Sequence, residues 1–210
     1  MICAMAVCYL AQPAMAQNDP KAKAVLDAMT KKVASLKTLK ADFAINITGA
    51  KVKDSKKGSI SLKGEKYHVA LGNQEIICDT KTIWTYNKDT KEVQVSNYNP
   101  AEQSMSPAKL LTNSYEKEYS YSYKGEKKEK GKTLTMVELT PKDKANAKVT
   151  KIELGVDKAS SIVASGNIWE KNGNKIQYSI SNLNTKANVP DTYFSWNAKE
   201  HPGVEVVDLR

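Results

Sequence analysis

The sequence predicts a mainly β domain with some helix (α+β), its strands forming one antiparallel sheet of about eleven members. Three observations carry this. Short runs in which apolar and polar residues alternate fill most of the chain after residue 40. Turn-forming Gly, Asn, Asp and Pro separate those runs at short intervals. Helical spacing of apolar residues is confined to a stretch near the N-terminus and a short one past residue 105.

Asp19-Pro20 is a helix start, with Asp19 as N-cap and Pro20 at the first helical position. Ala22, Val25, Leu26, Met29, Val33 and Leu36 then recur at helical spacing, predicting an amphipathic helix to about Leu39. Strands follow: ADFAINIT (41–48), with Phe43, Ile45 and Ile47 on one side, then SISL (59–62) and KYHVAL (66–71). EIIC, TIWTY and EVQV continue the series to residue 95. Ser106-Pro107 repeats the cap-plus-proline start and predicts a short helix over 106–113 bearing Leu110 and Leu111. Five further strands are expected at 119–123, 133–139, 149–156, 161–169 and 175–183. Lys171-Asn172-Gly173-Asn174 is a hairpin turn between the last two.

The strand faces are one-sided. Ile60 and Leu62 share a face, as do Tyr67, Val69 and Leu71, and Trp84 and Tyr86. The same holds for Ile152, Leu154 and Val156, for Ile162, Ala164 and Ile168, and for Ile176, Tyr178 and Ile180. Opposite positions are mostly polar. Such a sheet must cover its apolar face by closing as a barrel, by pairing with a second sheet, or by curving around helices in its mouth. Periodicity leaves all three open.

At 210 residues with no linker or repeat, the chain reads as one domain over 17–210. The first sixteen residues, MICAMAVCYLAQPAMA, carry no charge and end in Ala14-Met15-Ala16 before Gln17. That is a small-x-small cleavage pattern behind an apolar stretch, which predicts export and cleavage near Ala16/Gln17. Cys3 and Cys8 lie in this stretch, so Cys78 alone remains after cleavage and no disulfide is expected. The net charge of +9 comes almost entirely from lysine, Arg210 being the only arginine. Without guanidinium forks, and with acids interspersed as in GEKKEKGK (125–132), no nucleic-acid partner is expected.

Catalytic patterns are missing. His68 sits on a strand beside Tyr67 and Val69 and reads as solvent-facing, and His201 sits in a turn before Pro202-Gly203. Neither has an acid at triad or metal-ligand spacing. There is no His-Glu-x-x-His, Gly-x-Ser-x-Gly or Cys-x-x-Cys. Gly125 to Gly131-Lys132-Thr133 approaches a phosphate loop, but five residues separate the glycines and a strand follows. No cofactor, metal or enzymatic activity is expected. What remains is a large apolar surface bearing aromatic rings, as in a hydrophobic-ligand carrier or a plain β core.

The stretch EIICDTKTIWTYNKDTKEVQV (75–95) resembles the signature hairpin of the periplasmic outer-membrane lipoprotein carrier family, LolA. In that family a strand and turn lead into Leu/Ile-Trp-x-Tyr-Asn/Asp and a returning strand. Three further motifs resemble the family in order: the N-terminal helix running into Leu39-Lys40-Ala41-Asp42-Phe43, Ser106-Pro107 with Leu110-Leu111, and Phe194-Ser195-Trp196 followed by Pro202 to Asp208. The resemblance implies an unclosed β-barrel of about eleven strands. The N-terminal helix and a short lid helix would cover its apolar cavity.

It also implies a periplasmic chaperone, expected as a monomer, that binds lipoprotein acyl chains. It would take acylated lipoproteins from an inner-membrane ABC transporter and pass them to an outer-membrane acceptor. The implied cavity and lid residues are Ile60, Leu62, Tyr67, Val69, Leu71, Trp84, Tyr86, Leu110, Leu111, Ile152, Leu154, Tyr178 and Ile180. The family's Arg-Pro between the second and third strands, associated with holding the lid closed, reads Lys63-Gly64 here. Lys63 is thus the gate position, with a point charge in place of a planar fork. The alternative is an envelope lipid-binding or sensor domain of the same fold that binds another protein or lipid.

Overall fold

The computed structural model describes residues 19–99 and 115–210. The expected export segment 1–16 and the expected helix at 106–113, with Leu110 and Leu111, lie outside them.

Helix α1 (Pro20–Ser35) starts where the sequence places it. The Lys21 amide donates to Asp19 Oδ1 at 2.8 Å. Ala22, Leu26 and Met29 form its buried stripe, flanked by Val25, Val33 and Leu36. The helix stops four residues short of the expected Leu39. Leu36 is extended and its amide returns to the Val33 carbonyl, while the Thr38 hydroxyl donates to the Ala187 carbonyl. The chain must straighten here because Leu39 is already in a strand, opposite Leu62.

Among the described residues twelve strands follow, with a short helix before the seventh. They are β1 (Leu39–Thr48), β2 (Lys53–Lys63), β3 (Lys66–Leu71), β4 (Gln74–Cys78), β5 (Thr82–Asn87) and β6 (Glu92–Asn97). After α2 (Tyr115–Glu118) come β7 (Tyr119–Glu129), β8 (Lys132–Pro141), β9 (Val149–Asp157), β10 (Ile162–Glu170) and β11 (Lys175–Asn184). Two 3-10 turns, Asp191–Phe194 and Ala198–Glu200, precede β12 (Glu205–Asp208). The expected turn before β11 is present: the Glu170 amide donates to the Asn174 carbonyl at 2.9 Å, with Gly173 at φ 88°.

All strands belong to one sheet, in the order β12-β6-β5-β4-β3-β2-β1-β11-β10-β9-β8-β7. Two meanders are therefore joined where β1 pairs with β11. β7 and β12 end the sheet without pairing to each other, so the sheet is unclosed. The twelfth strand departs from the expected antiparallel sheet of about eleven. It returns after the two 3-10 turns and pairs parallel with β6, Val206 opposite Val93. A parallel partner cannot follow through a tight turn, and the 185–204 segment brings the chain from β11 across to β6.

Directly paired residues share a face, so the register defines the inner face. One row runs Ile45, Tyr178, Gly166, Leu154, Val137 and Tyr123 across β1, β11, β10, β9, β8 and β7. The next runs Ile47, Ile176, Ile168, Ile152, Leu139 and Tyr121. Gly166 lets the Tyr178 ring lie flat across β10, since a Cβ there would stand 2.5 Å from the ring. α1 packs on this half, chiefly against β7, β8 and β10.

Asp19 ties that helix to the free edge of the sheet. Its amide donates to the Tyr121 carbonyl at 3.2 Å, and its Oδ2 accepts from the Tyr123 amide at 3.0 Å. The Tyr123 and Lys21 amides hold its carboxyl below the usual carboxylate range. Asp19→Ala should lower the melting temperature more than Asp19→Asn. The wild-type advantage over Asp19→Ala should be complete above the ordinary carboxylate pKa and shrink as pH falls through the lowered value. An advantage that grows on acidification would contradict this assignment.

Candidate functional site

The other half of the inner face is built by β2 to β5. Leu62, Tyr67, Cys78 and Ile83 form one cross-strand row, and Ile60, Val69, Ile76 and Thr85 the next. Leu71 extends the surface opposite Gly58. Gly58 has no room for a side chain, since a Cβ there would stand 2.6 Å from the Phe43 ring. Burial pushes the Cys78 thiol and the Tyr67 phenol up, so both stay neutral and behave as part of the apolar surface.

Nine expected residues meet on this inner face. Leu62, Tyr67, Val69, Ile152 and Leu154 belong to one apolar cluster, and Ile60, Leu71, Tyr178 and Ile180 pack against it half-buried. The half-buried members are those with surface left to offer. A band of tyrosines borders the cluster at the β7 end: Tyr115 and Tyr121 are buried, Tyr119 and Tyr123 half-buried. Burial pushes the Tyr115 and Tyr178 phenols up.

Trp84 and Tyr86 do not join them. Trp84 lies opposite Ile77 and Tyr86 opposite Glu75, on the far side of the sheet from Ile83 and Cys78. Expected among the cavity residues, they stand on the opposite face of the sheet from them. Tyr86 sits in a second core, made by the strap of residues 185–204 that leads into β12. The Tyr86 ring centroid is 5.0 Å from that of Trp196 and 5.1 Å from that of His201. Trp196 and His201 stack at 4.0 Å. Phe194 is fully buried, beside Tyr193. Ile77, Tyr86, Val93, Val95, Val189 and Phe194 are all buried, yet none belongs to the inner cluster.

His68, expected to face solvent, is covered by the same strap. Its ring lies 4.5 Å from Tyr193, its Nδ1 3.2 Å from the Tyr193 carbonyl and its Nε2 3.3 Å from Glu75. Burial opposes ionisation of Glu75, but Lys88 at 2.7 Å and His68 outweigh it and hold the carboxyl below the usual range. Lys63, the expected gate position, also engages the strap. Its ammonium donates to the Val189 carbonyl at 3.2 Å and pairs with Asp191 at 3.3 Å. The signal for this second core was present in the sequence as Tyr193, Phe194 and Trp196, a run of rings with no apolar strand face assigned to it.

An open, curved sheet whose apolar inner face is only partly covered by its helix defines a class of hydrophobic-ligand binding scaffolds. Residues 34–197 match the outer membrane lipoprotein carrier protein LolA, and the chain belongs to that family. Comparison with curated protein sequences finds no match. Among solved structures, an uncharacterised conserved protein from Thermus thermophilus is similar with a TM-score of 0.62 at 11% identity, covering 90% of this chain and 99% of that one. The Mycobacterium tuberculosis lipoprotein LppX is similar with a TM-score of 0.52 at 16% identity, covering 82% of this chain and all 100% of that one. A LolA superfamily protein from Nitrosomonas europaea has a TM-score of 0.45 at 11% identity, covering 83% and 97%.

Because the strap fills the outer face, Phe194→Ala should cost about 3–5 kcal/mol of stability. Limited proteolysis should then cut first between residues 185 and 204. Affinity for an apolar dye per folded molecule should stay unchanged. Loss of dye binding at full stability would place the ligand surface on the outer face instead.

Proposed function

We propose that this protein is an acyl-chain carrier of the bacterial envelope, which shields the lipid moiety of lipoproteins during transfer from the inner to the outer membrane. The observation that carries the reading is the inner face itself. Its β2 to β5 half bears the half-buried Ile60, Leu71 and Ile76, whereas α1 packs chiefly on β7, β8 and β10. Family membership supports the same reading, as does the apolar stretch with its cleavage pattern at the N-terminus.

The physical demand fits. Each methylene removed from water is worth about 0.8 kcal/mol, so one ordinary acyl chain represents roughly 10 kcal/mol of water avoidance. An unclosed sheet can release such a chain by parting at its β7 and β12 edges without breaking a ladder of hydrogen bonds. In this role the protein works as a periplasmic monomer. It receives cargo from an inner-membrane ABC transporter, hands it to an outer-membrane acceptor, and carries out no chemistry of its own.

Displacement of an environment-sensitive dye by an acylated peptide tests the reading. The peptide should compete, and its unacylated form should not. Ile60→Ser and Leu71→Ser should each weaken acyl-peptide binding roughly tenfold or more, the equivalent of about 1.5–3 kcal/mol of lost apolar contact. Equal competition by the unacylated peptide would end the carrier proposal.

A further inference from the structure

A cavity of about 460 Å³ opens at the rim of the sheet, where α1 ends, β2 turns into β3 and β11 runs into the strap. Lys37, Lys63 and Lys186 line it, with Ser35, Thr185 and Asn188 between them, and no carboxylate. Three further cavities formed by described residues each include at least one acid: Glu118, Asp143 and Glu170 in one, Glu129 in the second, Asp42 in the third. Of these four cavities, this one is lined by lysines and no acid.

The nearby ion pairs do not cancel it. Asp191 is shared by Lys63 at 3.3 Å and Lys66 at 2.9 Å, two cations on one carboxylate. Lys37 and Lys186 are exposed and pair with no carboxylate among the described residues. The loop that carries Lys186 is fixed in place, since Thr38 donates its hydroxyl to the Ala187 carbonyl. The cavity also meets the apolar interior: Leu36 lines it and packs against the inner cluster.

A site with cations and hydroxyl or amide donors at its mouth and apolar surface behind suits an amphiphile with a negative head. We infer that this rim cavity seats the phosphate headgroup of a lipid whose chain lies on the inner face. The inference rests on the acyl-carrier reading and extends it, naming an anionic lipid as a ligand class alongside acylated protein. Lysine binds phosphate as a point charge rather than as a bidentate fork. The preference it creates is thus one of charge, and it weakens as salt rises.

The test uses the full chain and three probes: a single-chain lysophosphatidylglycerol, a neutral monoacylglycerol with the same chain, and inorganic phosphate alone. Binding is followed by calorimetry for the wild type, for Lys37→Gln/Lys186→Gln, and for Lys144→Gln/Lys199→Gln, which loses the same charge far from the rim. The phospholipid should bind more tightly than the neutral lipid. That gap should close by about fivefold per rim lysine removed and persist in the distant double variant. Lys37→Arg/Lys186→Arg should retain it.

Equal affinity for the two lipids in the wild type would overturn the headgroup site while leaving the acyl carrier intact. So would a gap that narrows equally in both Gln variants, which reports net charge only. Phosphate binding that depends on Lys37 and Lys186, without any preference between the lipids, would replace the lipid site by a free-anion site. Failure of both lipids to bind would remove the carrier reading and this inference with it.

Discussion

The antiparallel pairing of β1 with β11 is the contact on which the rest of the molecule depends. It runs from Lys40 opposite Asn184 to Thr48 opposite Lys175, with a register shift between Lys40 and Asp42. The shift coincides with Asn182, at φ 50°, which donates from its side chain to Asp42 at 2.7 Å. Every other antiparallel pair in the sheet joins strands that follow one another in sequence. This one closes a loop of more than a hundred residues, at an entropy cost the local hairpins avoid. Without it there would be two meanders, each with an uncovered apolar face. With it, the cross-strand rows run unbroken from Tyr123 to Ile45, and α1, feeding straight into β1, is led across the inner side.

The two faces of the sheet are covered by different means. The inner face receives a helix, which buries a single stripe of Ala22, Leu26 and Met29 and leaves aliphatic surface over β2 to β5 half-buried. The outer face of β3 to β6 receives the strap, whose rings meet His68 and Tyr86 at tilted angles. The strap meets the outer face ring by ring, and the half-buried aliphatic surface lies on the inner one. Lys63, Lys66 and His68, all at or near the β2 to β3 turn, serve the strap: they stand on the outer side of that corner.

Charge plays a different part. Most ion pairs on the described surface join half-exposed side chains, such as Lys23 with Asp27 and Lys158 with Glu126, and contribute little to stability. The excess of lysine leaves the chain with a net charge of +9, and like charge of that size opposes self-association. Along the β7 edge, Lys124, Lys127 and Lys128 stand on an otherwise open strand, where charge opposes pairing with another chain. At the rim, Lys37 and Lys186 line a cavity with Leu36, which packs against the apolar interior.

The sequence by itself determined most of the elements and which residues share a strand face. Asp19-Pro20 set the start of α1, Lys171 to Asn174 set the last hairpin, and period-two alternation grouped Ile60 with Leu62 and Tyr67 with Val69. These are local matters, decided by capping, turn chemistry and the pleat. Tertiary structure decided which side of the sheet each group faces. Alternation says that Trp84 and Tyr86 share a face. It cannot say which face when both are covered, with Ile83 and Cys78 on one side and Ile77 and Trp84 on the other. Only the strap's return to pair β12 parallel with β6 makes an outer core around Tyr86, on the face it shares with Trp84. That pairing joins strands a hundred residues apart, and no local pattern encodes it.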